Sequence, residues 1–183
     1  MPALESRIIV LIEAERSRIV PKARALSIVP ELTRIARERS AEMAKDNSFS
    51  GNGDPHASAT MLMQEDAKFQ GLVGENVAAQ HFTPDQKIDV EAFAQRFVEG
   101  WVASEPHKQN LSFADYDRTG VGAAVNGDTV YVTQLFTTDL GLGTKPGDQN
   151  QDVKPVGSPQ QGKDDSEATV PLRGTIVPGG PAH

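Results

Sequence analysis

The sequence predicts an α+β fold in which helices cover an antiparallel sheet, all within residues 1–137 of the 183. Three observations carry that prediction. Apolar residues recur at helical spacing through residues 4–43 and again through 90–101. The period then changes to two on either side of Asn126-Gly127-Asp128. Beyond Phe136 the chain turns to glycine, proline and polar residues and has no further aromatic. A 3.6-residue period buries one stripe of a helix and a two-residue period one face of a strand, so this order demands layered packing.

Taken in order, Leu4, Ile8, Leu11 and Ile12 predict a first helix over 3–17. Pro30 suits a first-turn position, and Leu32, Ile35, Ala36 and Met43 follow on one face, giving a second helix to Asp46. Residues 47–56 (NSFSGNGDPH) are dense in turn formers and read as a loop. A short helix is expected over 57–69, and 72–80 (LVGENVAAQ) can supply a third strand. Thr83-Pro84-Asp85-Gln86 resembles a helix start, with a capping hydroxyl, proline at the first position and Gln86 reaching back. From there Val90, Phe93, Ala94, Phe97, Val98 and Trp101 make an apolar stripe whose end Pro106 marks. Finally, 119–125 and 129–136 flank Asn-Gly, which tolerates positive φ and so signals a tight hairpin.

Residues 138–183 hold 8 of the 16 glycines and 6 of the 12 prolines. Such a segment buries too little apolar surface to offset its ordering entropy, so the domain is expected to end at 137 and a flexible tail to follow. Within it, 168–180 (ATVPLRGTIVPGG) has two β-prone runs able to dock on the domain or on a partner. There is no cysteine, which excludes disulfides and thiolate chemistry. Net charge is −7, unevenly spread: residues 1–45 carry 9 Lys/Arg against 6 Asp/Glu, and 46–137 carry 5 against 13. An acidic middle argues against a nucleic-acid partner, whose affinity rests on clustered cations. No window approaches the roughly 18 apolar residues of a membrane-spanning helix. The cluster at 8–12 (IIVLI) lacks the flanks of a signal peptide, so the sequence as given is expected to be leaderless and not transmembrane.

Of the four histidines, His183 ends the tail and His81 sits beside Phe82 in a surface loop. His56 lies in the glycine-rich loop and His107 just past the Trp101 helix; with Glu75 they come from three separate elements and form a candidate set of divalent-metal ligands. Taken alone, a histidine at a helix end suits carbonyl capping or packing equally well. Gly120-Val121-Gly122 lacks the third glycine and following helix of a dinucleotide loop, and close packing in a hairpin strand explains it better. Ser104 lies near His107, but no orienting acid accompanies it for nucleophilic chemistry.

Several phrases together resemble the CAP (SCP) superfamily, in its bacterial branch: Asn47-Ser48-Phe49-Ser50, Gly74-Glu75-Asn76, Trp101 with Ser104, His107 and Asn110, Gly120-Val121-Gly122, and Thr133-Gln134-Leu135-Phe136. The resemblance covers about residues 3–137. It implies a three-layer α-β-α sandwich whose central cleft holds Glu75, His107, His56 and Ser104, with His107, His56 and Glu75 as ligands to a divalent metal, zinc first. One departure stands out. The family's first histidine normally completes Phe-Ser-His, and Gly51 occupies that slot here: either the glycine-rich loop brings His56, five residues on, back to the cleft, or the metal site is degenerate and Glu75 and His107 remain as a polar pair. The resemblance further implies a secreted or periplasmic binding domain for a small molecule, lipid, wall component or cation, with no defined reaction. A metal-assisted hydrolase and a structural or adhesive module are the alternatives.

Overall fold

The computed structural model describes residues 1–49, 57–67, 69–83 and 89–138. In chain order the elements are α1 (Pro2–Ile19), β1 (Ser27–Ile28), α2 (Pro30–Asp46), α3 (Ala57–Glu65), β2 (Val73–His81), α4 (Val90–Ala103), α5 (Glu105–Ser112), β3 (Arg118–Asn126) and β4 (Thr129–Thr137). The strands lie in the order β1-β3-β4-β2. β2, β4 and β3 pair antiparallel, whereas β1 runs parallel to β3 for two residues. The sheet is therefore mixed where an antiparallel one was expected. A two-residue strand is too short to display a period, so nothing in the sequence announced it.

Register sorts the side chains onto two faces. Glu75 pairs with Leu135 and Asn76 with Gln134, so alternate residues of β2 face opposite layers. One face carries Val73, Glu75, Val77, Tyr131 and Leu135 and is covered by α2 and α3. The other carries Ala78, Val121, Val130, Val132 and Phe136, packed under Leu4, Ile8 and Ile12 of α1, Phe93, Phe97 and Trp101 of α4, and Leu111 of α5. This is the α-β-α sandwich that the motifs imply.

Two glycines set the spacing of the first layer. A Cβ on Gly122 would lie 2.1 Å from Arg37 N and 2.2 Å from the Ala36 carbonyl carbon; one on Gly120 would lie 2.3 Å from Thr33 N. Helix α2 thus rests its backbone on β3 at positions where only hydrogen fits. Ser40 Oγ then reaches Gly122 O at 2.9 Å and Thr133 Oγ1 at 3.0 Å, so its buried hydroxyl is satisfied in the layer it enters.

Helix boundaries differ from expectation in two places. α4 starts at Val90, and its N-cap is Asp89, whose carboxylate accepts from Glu91 N and Ala92 N. The start expected at Thr83 is displaced because that carboxylate satisfies two of the orphan amides of the first turn; residues 84–88 lie outside the described set. At the other end, Pro106 does not stop the helical chain. Ser104, extended at φ −97° and ψ 118°, closes α4 and opens α5, and Pro106 occupies the first turn of that second helix.

Candidate functional site

The break at Ser104 explains the Trp-x-x-Ser-x-x-His-x-x-Asn spacing. Trp101, in the last turn of α4, is fully buried, and its indole N–H donates to Val77 O at 3.4 Å. Ser104 is the N-cap of α5 and His107 stands three residues on, a spacing that places the two side chains side by side. The serine makes no cap bond to the helix amides; its Oγ lies 2.8 Å from His107 Nδ1 instead. One turn further, Asn110 faces the same way as His107. Its amide donates to Glu75 O and to Asn76 Oδ1, both at 2.9 Å, while Asn76 donates to His107 O at 3.3 Å. α5 is thereby pinned along the outer edge of β2 by a reciprocal asparagine pair.

Glu75 points the other way, toward α2 and α3. Its Oε1 accepts from Ser58 Oγ at 2.6 Å and lies 3.6 Å from Arg39 Nε, while Arg39 also donates to Phe49 O at 2.9 Å. Both Glu75 and His107 are buried, at 7% and 1% exposure. A carboxylate and an imidazole that deep persist only with polar partners around them. Ser104 and His107 meet side chain to side chain. Glu75 and His107 are joined through the backbone and the asparagine pair. His56 and Gly51 lie outside the described residues. Among the described residues no three His, Asp or Glu side chains gather, so the described donors alone do not make a metal centre. Two recesses, one of about 450 Å³ between α1 and α4 and one of about 730 Å³ between α4 and β2, lie away from this cluster.

The sequence reading missed Ser58, Arg39, Asn76, Arg16 and Tyr116. Asn76 stood inside the quoted Gly-Glu-Asn phrase and Asn110 inside the Trp phrase, but only the fold shows that they bond each other. The glycine of the phrase has its own reason: a Cβ on Gly74 would meet Tyr116 Oη at 2.5 Å and Asn110 Oδ1 at 3.1 Å. Tyr116 is held there by Phe136, stacked at 5.3 Å between ring centres, and by Phe113 at 4.7 Å.

Burial pushes the Tyr116 hydroxyl up to about 12, against a smaller opposing pull from the Arg16 cation. The unfolded chain releases this proton near pH 10, whereas the folded chain keeps it to about pH 12. The tyrosine's contribution is thus intact below pH 10 and is lost as pH rises from 10 toward 12. It amounts to about 2–3 kcal/mol. Denaturant unfolding at pH 9, 10 and 11 is expected to show that fall, and Tyr116→Phe to flatten it. An unchanged slope in the variant would assign the alkaline loss to other groups.

Comparison with known proteins adds the lineage. The model of the cysteine-rich secretory protein family (CAP) matches residues 21–136. YkwD of Bacillus subtilis (strain 168) is 26% identical over 125 residues, or 68% of this chain and 44% of YkwD. An extracellular protein containing an SCP domain, from Bacillus anthracis str. Ames, superposes with a TM-score of 0.56 at 29% identity, over 74% of this chain and 40% of its own. An outer surface protein of Borrelia burgdorferi gives a TM-score of 0.54 at 18% identity, over 72% of this chain and 89% of its own, a likeness of fold alone. This chain spans less than half the length of the two Bacillus proteins. The match runs from before β1 to Phe136 in β4 and includes Glu75, Ser104 and His107. The chain belongs to the cysteine-rich secretory protein (CAP) family, as a bacterial SCP-type domain without a single cysteine.

Proposed function

We propose that this domain binds rather than catalyses, and that it works outside the cytoplasm, as its Bacillus anthracis relative is described as doing. The ligand is a small polar molecule, a lipid or wall fragment, or a divalent cation, received where α5 meets β2. The carrying observation is the asparagine pair, Asn110 to Glu75 O and Asn76 Oδ1 and Asn76 to His107 O, which fixes the backbones that bear a buried carboxylate and a buried imidazole at one edge of the sheet. Each of the two is further held by a serine hydroxyl, Ser58 and Ser104. A few polar groups fixed in place by their own hydrogen bonds are what a binding site uses to orient a ligand.

Within this reading zinc is the cation to try first. His107 and Glu75 supply one nitrogen and one carboxylate donor, and His56 is the third that the sequence offers. Calorimetric titration of the full chain with zinc is expected to give one site per chain. Affinity should fall about 10-fold or more in His107→Ala and in Glu75→Ala, as loss of a ligand demands. Equal heats from the double variant and the parent chain would remove the metal from the reading. Loss on His56→Ala as well would identify that histidine as the replacement for the one absent at Gly51.

A further inference from the structure

Strand β2 is the outer strand of the sheet, with β4 on one side only. Leu72 O accepts from Thr138 N, and Phe82 N donates to Asp128 O. Even-numbered peptides at both ends of β2 thus bond toward β4, and the odd-numbered ones between them face outward. Two of the outward carbonyls are taken by side chains: Glu75 O by Asn110 and Val77 O by Trp101. This is how a sheet edge is blunted against foreign strands. The cover stops after Val77. From Ala79, itself 7% exposed, to the exposed His81, the edge instead lines the recess of about 730 Å³ bounded by Arg96, Glu99, Gly100 and Ala103 of α4.

The chain itself carries a short β-prone run in its sequence. Residues 172–177 (LRGTIV) sit between Pro171 and Pro178, and the prolines limit any pairing to six residues. Leu, Thr, Ile and Val favour extended pairing, and leucine and isoleucine alternate with arginine and threonine as a half-buried strand requires. Thr138, the last described residue, leaves β4 beside Val73, and His81 lies about 26 Å along β2 from there at about 3.3 Å per residue. About 30 residues separate Thr138 from Ala168, and a coil of that length spans about 30 Å, enough to reach. Charge agrees as well. Among the described residues Glu99 pairs with no cation, and Arg173 would arrive at that rim. A tethered segment also outcompetes a partner in solution through its millimolar effective concentration.

We propose that residues 172–177 add to the outer edge of β2 at Ala79–His81 as a fifth strand of the chain's own sheet. The inference stands apart from the Glu75 and His107 site. Because the chain has no cysteine, Ala168→Cys gives a single attachment point just outside the docked run for a nitroxide spin label. In the full-length, ¹⁵N-labelled chain the amides of Ala79, Gln80, His81 and Gly100 should lose most of their intensity, and Thr175→Pro should restore it. The same substitution should speed amide exchange at Ala79 and His81 by about 10-fold, while Trp101 fluorescence still reports one cooperative unfolding transition whose midpoint falls only by the loss of that docking. Undiminished signals at those amides overturn the proposal. Equal loss in ¹⁵N chain that carries no spin label, on mixing with spin-labelled ¹⁴N chain, overturns it too, and assigns the edge to a second copy.

Discussion

Gly122→Ala is expected to cost at least about 3 kcal/mol, a large share of the roughly 5–15 kcal/mol that keeps a domain folded, because the new methyl would enter the backbone of α2 rather than a side chain. The added Cβ would sit 2.1 Å from Arg37 N and 2.5 Å from Ala36 O, against ordinary contacts near 3.5–4 Å. Backbone cannot rotate aside. The helix would have to lift from β3 by more than an ångström, opening the layer that buries Leu32, Ile35 and Ala36 and parting Ser40 from Gly122 O. Gly127 supplies the internal control. It has φ +57°, and nothing lies within 4 Å of its Cβ position, so Gly127→Ala carries only left-handed strain of about 1–2 kcal/mol. Urea unfolding followed by Trp101 fluorescence should rank the two clearly. Equal costs would mean that conformation and not close approach governs Gly122.

That contrast also shows what the sequence could tell and where it stopped. Periodicity found α1 and α2 because long stripes such as Leu4, Ile8 and Ile12 leave little choice of buried face. Asn126-Gly127 found the hairpin because a two-residue turn is a local event. Ser104 and Pro106 are a legible start signal, N-cap plus first-turn proline, yet a proline after a long helix reads equally as that helix's stop. The start of α4 failed for the opposite reason: Thr83-Pro84 looked like a cap, and Asp89 is the one used. Glu75, Ser104 and His107 were legible as a family phrase. Their geometry was not, because the Asn76–Asn110 pair joins positions 34 residues apart and the partners of Glu75 come from α2 and α3. Long-range polar contacts have no period to read. His56, on which the metal set depended, lies outside the described residues and keeps that question with the zinc titration.

Arg16 is the residue with the least sequence signal and the second largest expected effect. On the stripe of an amphipathic helix it looks like one more surface cation, but it is 1% exposed. Its guanidinium donates to Leu111 O at 2.8 Å, Phe113 O at 3.0 Å, Tyr116 O at 3.0 Å and Arg24 O at 3.2 Å, and lies 5.8 Å from the Phe136 ring centre. The first two carbonyls belong to the end of α5, which a helix leaves without partners, so a cation there serves both as donor and as counter to the helix dipole. In a chain without disulfides this one side chain ties α1 to the segment that carries His107 and Asn110. Arg16→Leu would strand four carbonyls in the interior and should cost about 3–5 kcal/mol. Arg16→Lys should recover only part of this, since an ammonium lacks the planar fork that reaches all four. Arg7 sets the scale from the surface, where its pair with Glu91 is solvent-exposed and its removal should scarcely move the unfolding midpoint. Because Arg16 fixes the end of α5, Arg16→Lys should also quicken amide exchange at His107 and Asn110 ahead of global unfolding. Exchange that rises uniformly across the domain would instead make Arg16 a general core contact with no particular hold on the site.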